Sequence, residues 1–355
     1  MKSDFETTIE YAPTKDGWNL AFVRHKPLDF NKKKPPVLLC HGFASNRYDL
    51  DFGEDEKYSL AKYLAKRGFD TWVLELRGRG RSKKEGKEFF DWNFDTYVNY
   101  DAPAAVDYII RKYKIEYGIN AKILWVEHCM GGMISYVYGS REGKRNLKSV
   151  VTIASPIYLT GLLKNLEKDN LKWLIKLVDI LCPPRINKPF FLPLWLENRW
   201  MRKLVEKYFV NKDNVNLDIL NKMWENGIEI VSCKVLYQFA FMLSRSDFCM
   251  YPKYPRICKK FENTILQNLF CPKSYTKEFK NFDLPLLVIA GRGDRVVPPE
   301  DAFQIKKLIK SKEIETIELS KENFSADYGH LDLIIGFNSS QEVFPIIYNW
   351  LKKHS

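Results

Sequence analysis

The chain has 355 residues, of which 45% are hydrophobic, 14% are aromatic and 28% are charged, and its formal net charge is +12 at pH 7. This composition excludes a disordered, collagen-like or coiled-coil protein, and the length predicts one large domain or two smaller ones. Because no run of 18 apolar residues occurs and acidic residues interrupt the first 16 positions, we expect neither a membrane span nor a secretory leader, and a cytoplasmic location.

The first half of the chain alternates strand and helix patterns. A hairpin is predicted over residues 5–25, around a turn at 14–17. Short apolar runs follow at 36–40, 71–74, 123–126 and 150–153, separated by helical patterns near 57–67, 96–113 and 130–139. Unbroken apolar strands that alternate with helices indicate an α/β fold, in which a mostly parallel sheet is covered on both faces.

The alternation stops between about 157 and 283, where apolar residues recur at helical spacing. One helical face is marked by Leu159, Leu162, Leu163 and Leu166, and a second by Leu174, Leu177, Val178 and Leu181. Strands resume at 284–289 and 314–319, and a last helix is predicted near 341–353. We therefore divide the chain into a core, 1–156 and 284–355, and a helical cap, 157–283, which is placed to cover the carboxyl edge of the sheet, where ligands bind.

A cysteine lies where the strand from 123 runs into the following helix. The segment reads ILWVEHCMGGM, and a side chain on so sharp a turn is held clear of the sheet beside the N–H groups of the new helix. Cys129 therefore becomes the candidate nucleophile, since a thiol is already partly thiolate near neutrality and a neighbouring imidazole increases that fraction.

A candidate acid and a candidate base follow the nucleophile along the chain, in the order nucleophile, acid, base. Of the five histidines, His330 is the one placed in a loop after the last predicted strand, within YGHLD. Asp294 lies in the glycine-rich turn of VIAGRGDRVVPP, directly after a strand. We expect Asp294 to orient His330, and His330 to take the proton of Cys129.

An oxyanion site needs two N–H donors, which we assign to Phe43 and Met130. Met130 follows the nucleophile, and Phe43 lies in the loop HGFASN after the strand at 36–40, where Gly42 permits close approach. The glycine-rich stretches at 77–82 and 291–294 lack the full dinucleotide and phosphate-loop patterns. No histidine and carboxylate cluster has metal-ligand spacing, so we expect no metal and no organic cofactor.

The distribution of charge bears on possible binding partners, and the cysteine pattern bears on the redox state of the thiols. The lysines form short groups spread along the chain, which favours solvated faces over a nucleic-acid site and leaves peripheral contact with anionic lipid open. The seven cysteines include no C-x-x-C pair, so we expect most of them to be reduced and buried. The sequence does not predict the oligomeric state.

These motifs resemble those of the α/β-hydrolase superfamily with a cap after the sixth strand. The matching stretches are CHGFASNRYDLD, LELRGRGRS, WVEHCMGG, VIAGRGDRVVPP and YGHLDLIIG, and the closest resemblance is to lipase-like and esterase-like hydrolases. The resemblance implies an eight-stranded sheet, a nucleophile at Cys129, an acid at Asp294, a base at His330 and oxyanion donors at Phe43 and Met130.

Two positions depart from the family pattern. Cys129 stands where the family usually has serine, as in dienelactone hydrolases and polyhydroxyalkanoate synthases. Glu127 stands where the elbow usually has its first glycine. A carboxylate near the thiol would oppose thiolate formation, and a charged residue at 127 predicts a shifted backbone.

The sequence predicts a hydrolase that cleaves an ester or thioester of a lipophilic acyl group, because the insertion is apolar and aromatic. Two alternatives stay open: an acyltransferase resembling a polyhydroxyalkanoate synthase that uses hydroxyacyl-CoA, and a non-catalytic protein that binds lipid, an acyl group or a partner.

Overall fold

The computed structural model describes residues 4–53, 55–86, 90–158, 168–184, 186–261, 264 and 267–355. The predicted face formed by Leu159, Leu162, Leu163 and Leu166, and the side chain of Leu174, lie outside this description. The strands are β1 Phe5–Pro13, β2 Trp18–Pro27, β3 Val37–Cys40, β4 Thr71–Glu75, β5 Lys83–Lys84, β6 Ile123–His128, β7 Leu147–Ile153, β8 Pro189–Phe190, β9 Val231–Ser232, β10 Leu286–Gly291 and β11 Ile314–Leu319.

The main sheet follows the order β1-β2-β4-β3-β6-β7-β10-β11, with the short strand β5 paired to β2. All pairs from β4 to β11 along this order are parallel, whereas β1 and β2 are antiparallel to their neighbours. The predicted α/β class with a mostly parallel sheet of eight strands is therefore confirmed.

Helices cover both faces of the sheet. They are α1 Leu60–Ala65, α2 Ala102–Tyr117, α3 Met130–Asn146, α4 Lys168–Leu181, α5 Leu192–Glu197, α6 Arg199–Phe209, α7 Leu217–Asn226, α8 Cys233–Arg245, α9 Pro255–Phe261 and α10 Ser339–Lys353, with short helical turns at Phe94–Thr96, Gln267–Phe270, Pro299–Ala302 and Asp332–Ile335. None of the described helices is long and apolar enough to cross a membrane.

Neighbouring strand residues pack into separate cores because side chains alternate across a sheet. Trp125 belongs to the core on one face, together with Tyr136 of α3, whereas Val126 belongs to the core on the other, together with Phe344 of α10. The paired registers bring the carboxyl ends of β3, β6 and β7 to one edge, where Cys40 pairs with Glu127 and His128 pairs with Ile153. The candidate site residues follow these strand ends.

The described helices α4 to α9 lie between β7 and β10, and we call this segment, from residue 168 to 283, the insertion. Two disulfides lie within it, Cys182–Cys233 and Cys258–Cys271, with Cα atoms 4.9 and 4.6 Å apart. The expectation that most cysteines are reduced is therefore wrong, because four of the seven are paired. Cys40, Cys129 and Cys249 are free, and among these only Cys129 is not fully buried.

Candidate active site

The turn between β6 and α3 holds Cys129 in an unusual backbone conformation, with φ 52° and ψ −116°. Positive φ is costly for a residue with a side chain and persists only where the surroundings impose it. Here the N–H of Cys129 donates to the carbonyl of Ile153 at 2.9 Å. A Cβ at Gly131 would lie only 2.9 Å from the carbonyl oxygen of Cys40. The glycine after Met130 thus allows the helix to start against β3 and keeps the turn sharp.

His330 and Asp294 meet beside this turn. The Nδ1 atom of His330 lies 2.7 Å from the Oδ2 atom of Asp294, and both side chains are almost completely buried. The other carboxylate oxygen of Asp294 accepts the N–H groups of Val296 and Val297, each at 2.8 Å. These two bonds fix the carboxylate so that one oxygen points at the imidazole.

Cys129 lies beside the same imidazole, close enough for its charge to act on the pKa of His330. Burial lowers the pKa of His330, but the charges of Asp294 and Cys129 and the hydrogen bond to Asp294 outweigh it, so that the pKa lies well above its usual value. The structure thus brings the three predicted side chains together beside one cavity. An imidazole of raised pKa, placed between a thiol and a carboxylate, is suited to take and hold the thiol proton.

The predicted oxyanion donors lie in the same cavity. Phe43 and Met130 both line it with Cys129, and neither N–H donates to any group within the described parts of the chain. A Cβ at Gly42 would lie 3.0 Å from the Cβ of Cys129, so the loop passes directly over the cysteine. Both N–H groups are therefore available beside the thiol.

A buried pair that the sequence did not single out holds this loop. Asp49 accepts the N–H of Gly42 at 2.8 Å, and its two oxygens lie 3.0 and 2.9 Å from Nδ1 of His128. Burial raises the pKa of Asp49, but the charge of His128 and these hydrogen bonds outweigh it and lower the pKa below the usual value. His128, which carried no predicted role, thereby links the elbow to the loop that carries Phe43.

The insertion holds the same loop from the other side. Asn46 donates to the carbonyl of Asn226 and to Oε1 of Glu229, both at 2.8 Å, and the N–H of Glu229 donates to the carbonyl of Ala44 at 2.9 Å. The position of the loop therefore depends on the segment after α7.

A second set of hydrogen bonds joins the insertion to the loop that carries His330. The oxygens of Asp332 accept the N–H of Gly329 at 2.9 Å, the N–H of Asn211 at 3.0 Å and the side-chain amide of Asn214 at 2.8 Å. Because Gly329 precedes His330, the carboxylate of Asp332 positions the base relative to the end of α6. Burial raises the pKa of Asp332 to about 6.

Asp332→Asn is expected to lower kcat by roughly 10- to 100-fold, because an amide cannot accept all three bonds and the base moves out of line. It is also expected to change the pH dependence of stability. The folded chain keeps the proton up to about pH 6 and an ordinary carboxyl releases it near 3.8, so the free energy of unfolding falls as the pH rises between them. Between pH 4 and 7 this carboxyl should lower the free energy of unfolding of the parent by about 3 kcal/mol, and the variant should lack that decrease. Urea unfolding at each pH measures the difference.

The exposed Asp107 supplies the control. Asp107→Asn should leave both kcat and the pH profile unchanged. An Asp332→Asn profile that still follows the parent between pH 4 and 6 would contradict the role assigned to this carboxyl.

The cavity above Cys129 has a volume of about 310 Å³ and is mostly apolar. Helices α4 to α8 of the insertion supply its outer wall with side chains such as Val178, Leu196, Phe209, Trp224 and Phe239. Phe209 also packs edge-on against the ring of His330, with ring centroids 5.4 Å apart. Such a lining can desolvate a lipophilic group and offers few polar partners beyond Cys129 and His330. Within the described residues, no three metal-ligating side chains form a cluster.

Glu127 does not reach the cavity. Its side chain is fully buried, and the groups whose pKa its charge affects are Cys40 and Tyr136, in the core beneath α3. Neither carboxyl oxygen has a hydrogen-bond partner among the described residues, because the hydroxyl of Ser135 donates to the carbonyl of Gly132 instead. Burial raises the pKa of Glu127 well above its usual value, and the proximity of Ser135 opposes this only in part. The carboxyl at 127 therefore lies away from the thiol, and burial favours its neutral form.

Glu127→Gln is expected to stabilise the protein above pH 5 and to leave kcat within about threefold of the parent, since 127 does not touch the cavity. The folded parent retains a proton that the unfolded chain releases above 4.5. Its free energy of unfolding should thus fall by about 1.4 kcal/mol per pH unit until the folded pKa is reached. The variant should lack this fall in denaturant titrations at pH 4.5, 6 and 7.5.

The exposed Glu6 provides the matched control. Glu6→Gln should reproduce the parent at each pH. If the stability gain of Glu127→Gln does not grow with pH, the carboxyl is not held neutral in the fold.

Comparisons with known proteins bear on the fold and on the relatives of the chain. A family model described as the alpha/beta hydrolase fold matches residues 35–184. Triacylglycerol lipase 1 of Arabidopsis thaliana is 24% identical over 372 residues, which cover 96% of this chain and 86% of the plant protein. The lysosomal acid lipase/cholesteryl ester hydrolase of Rattus norvegicus is also 24% identical, over 96% of this chain and 87% of the rat protein.

Solved structures show the same fold. The esterase EaEST from Exiguobacterium antarcticum superposes with a TM-score of 0.61 at 14% identity, covering 97% of this chain and all of the esterase. At this identity the likeness concerns the fold alone. The solved structures therefore support the fold, and the sequence relatives are lipases.

Proposed function

We propose that the chain is a member of the α/β-hydrolase superfamily and an ester-hydrolysing enzyme that acts on lipophilic acyl groups through Cys129, His330 and Asp294. The observation that carries the proposal is the 2.7 Å contact of Asp294 with His330, whose ring lines the same cavity as Cys129. The similarity to lipases along most of the chain supports an ester as the substrate.

In the proposed reaction, His330 takes the proton of Cys129 and the thiolate attacks the carbonyl carbon of the substrate. The carbonyl oxygen becomes an oxyanion, for which the N–H groups of Phe43 and Met130 are the proposed donors; one such donor is worth about 3 kcal/mol. Collapse expels the alkoxide or thiolate, which receives the proton from His330, and leaves an acyl thioester on Cys129. Water, deprotonated by His330, then releases the acid and regenerates the thiol.

The substrate class follows from the cavity and the nucleophile. An apolar space of about 310 Å³ suits a medium acyl chain or an aromatic ester rather than a sugar or a charged peptide. A cysteine nucleophile also suits thioesters, because the thiolate formed by the enzyme and the one it expels have similar stability. We propose that the insertion (168–283) acts as the cap of this cavity, since its helices form the outer wall.

We also propose that the protein works in an oxidising compartment. Two disulfides in the insertion favour such a location over the cytoplasm that the sequence alone predicted, because cytosolic thiols are kept reduced.

The test is intact-protein mass spectrometry after brief exposure to p-nitrophenyl esters of graded chain length, with p-nitrophenol release followed in parallel. We expect an acyl adduct on the parent protein and turnover that is fastest for chains that fit the cavity. The adduct should be absent from Cys129→Ala.

Other outcomes identify the alternatives. Release of CoA from hydroxyacyl-CoA with little free acid would replace hydrolysis by acyl transfer. A lipophilic ligand that is retained without turnover, in the parent and in Cys129→Ala alike, would make the protein a binding module.

A further inference from the structure

A basic cleft lies on the opposite side of α6 from the active-site cavity. Its cationic side chains are Lys203, Lys207, Lys212, Arg292 and Arg295, and we use the name basic cleft for the space of about 650 Å³ that they line together with Val210, Asn211, Gly293 and Asp327. Five cations face one carboxylate, so the cleft carries a concentrated positive potential.

Two of these five cations form ion pairs with carboxylates at the border of the cleft. Lys212 contacts Glu206 at 2.7 Å and Arg292 contacts Glu318 at 2.9 Å. Lys203 and Lys207 form no ion pair with any residue in the described parts of the chain. These two lysines lie one helical turn apart on the same face of α6, where like charges repel. An anion that enters the cleft would relieve this repulsion.

The shape and lining define the class of anion. The cleft has no aromatic side chain on which a nucleobase could stack, and Val210 is its single aliphatic lining residue. It therefore suits a compact, highly charged group. Lysines bind phosphate as point charges and arginines bind it through paired N–H groups.

We propose that the basic cleft binds a phosphate group, carried either by a soluble anion or by a lipid headgroup. The site joins two segments that matter for the active site. Lys203 and Lys207 belong to α6, whose other face contributes Val205 and Phe209 to the cavity, while Arg292 and Arg295 flank Asp294. A phosphate bound between them fastens α6 to the turn of the catalytic acid.

A lipid source has some additional support on the same helix. Trp200 is 69% exposed and Leu204 is 39% exposed, and both lie beside Lys203 and Lys207 on the outer surface of α6. Tryptophan and lysine side by side are typical of surfaces that meet a bilayer.

The experiment measures binding and does not depend on hydrolysis, so its result is separate from that of the proposed function. The intact chain is titrated calorimetrically at low salt with inorganic phosphate and with pyrophosphate, and is sedimented with phosphatidylcholine vesicles with or without phosphatidylglycerol. Lys203→Gln/Lys207→Gln is compared with Lys32→Gln/Lys33→Gln, which removes the same charge from two exposed lysines elsewhere.

We expect pyrophosphate to bind more tightly than phosphate and the cleft variant to lose affinity by about tenfold or more, with the control within about twofold of the parent. Loss confined to the phosphatidylglycerol vesicles identifies a lipid headgroup as the source, and loss for the soluble anions identifies a free phosphate. No binding of any probe, or equal loss in both double variants, overturns the proposal.

Discussion

Cys129→Ala is expected to lower kcat/KM for p-nitrophenyl esters by about 10⁴-fold or more, because the covalent intermediate of the proposed reaction forms on this thiol. A residual rate above that of water should persist, since the N–H groups of Phe43 and Met130 and the apolar cavity remain. The substitution leaves the fold intact, because the side chain lies at the cavity surface and alanine is no worse than cysteine at φ 52°. Steady-state rates and thermal unfolding of both proteins provide the measurement.

Alkylation supplies a second readout of the same assignment. Cys40 and Cys249 are buried, and burial raises the pKa of both thiols, so they should resist iodoacetamide. The reagent should therefore modify Cys129 first and inactivate the enzyme at the same rate. Cys249→Ala is the matched control and should retain full activity and full sensitivity. Activity that survives complete alkylation of Cys129 would exclude it as the nucleophile.

Local patterns were sufficient to predict most of the fold. The strand predicted at 314–319 coincides with β11, and the hairpin predicted over 5–25 corresponds to β1 and β2. Such elements are readable because hydrophobic periodicity and turn residues act within a few positions. The candidate triad residues were identifiable in part for the same reason, since Cys129 and Asp294 directly follow predicted strands and His330 lies in the loop after the last one.

The contacts that position the site were not readable, because they join distant parts of the chain. Asp332 bonds Asn211 and Asn214, more than a hundred residues away, and Glu229 bonds Asn46. A sequence shows asparagines and carboxylates at these places, as on any polar surface, and their pairing exists only after the insertion has packed on the core. The disulfide between Cys182 and Cys233 follows the same rule, with 51 residues between its partners.

Glu127 shows how burial changes the chemistry of a residue whose position is correctly known. The sequence places it at the elbow, where a carboxylate beside the thiol would oppose catalysis. In the fold its side chain points away from the cavity into the core. Desolvation there disfavours the charge that sequence reasoning assigns by default.

Asp294→Asn is expected to lower kcat by about 10³- to 10⁴-fold while leaving the fold unchanged. The amide oxygen of the new asparagine can still accept the N–H groups of Val296 and Val297, which Oδ1 of Asp294 accepts now. Its NH₂ group then faces Nδ1 of His330, in place of the oxygen 2.7 Å away. A donor at that place requires Nδ1 to be the acceptor, so the ring proton moves to the nitrogen that should receive the thiol proton. The base is blocked by the wrong tautomer rather than lost.

The pKa of His330 gives a readout that a merely structural change would not produce. Burial lowers this pKa and Asp294 raises it, so without the carboxylate the pKa should fall. The pair formed by His330 and Asp294 contributes stability that is present at low pH and is lost as the pH rises through the raised pKa of His330. The variant should lack that contribution. Imidazole NMR titration of the parent and of Asp294→Asn measures the change directly, with Asp107→Asn as the control. A pKa of His330 that stays high in Asp294→Asn would mean that the carboxylate does not stabilise the imidazolium, and a loss in kcat below tenfold would remove Asp294 from the catalytic series.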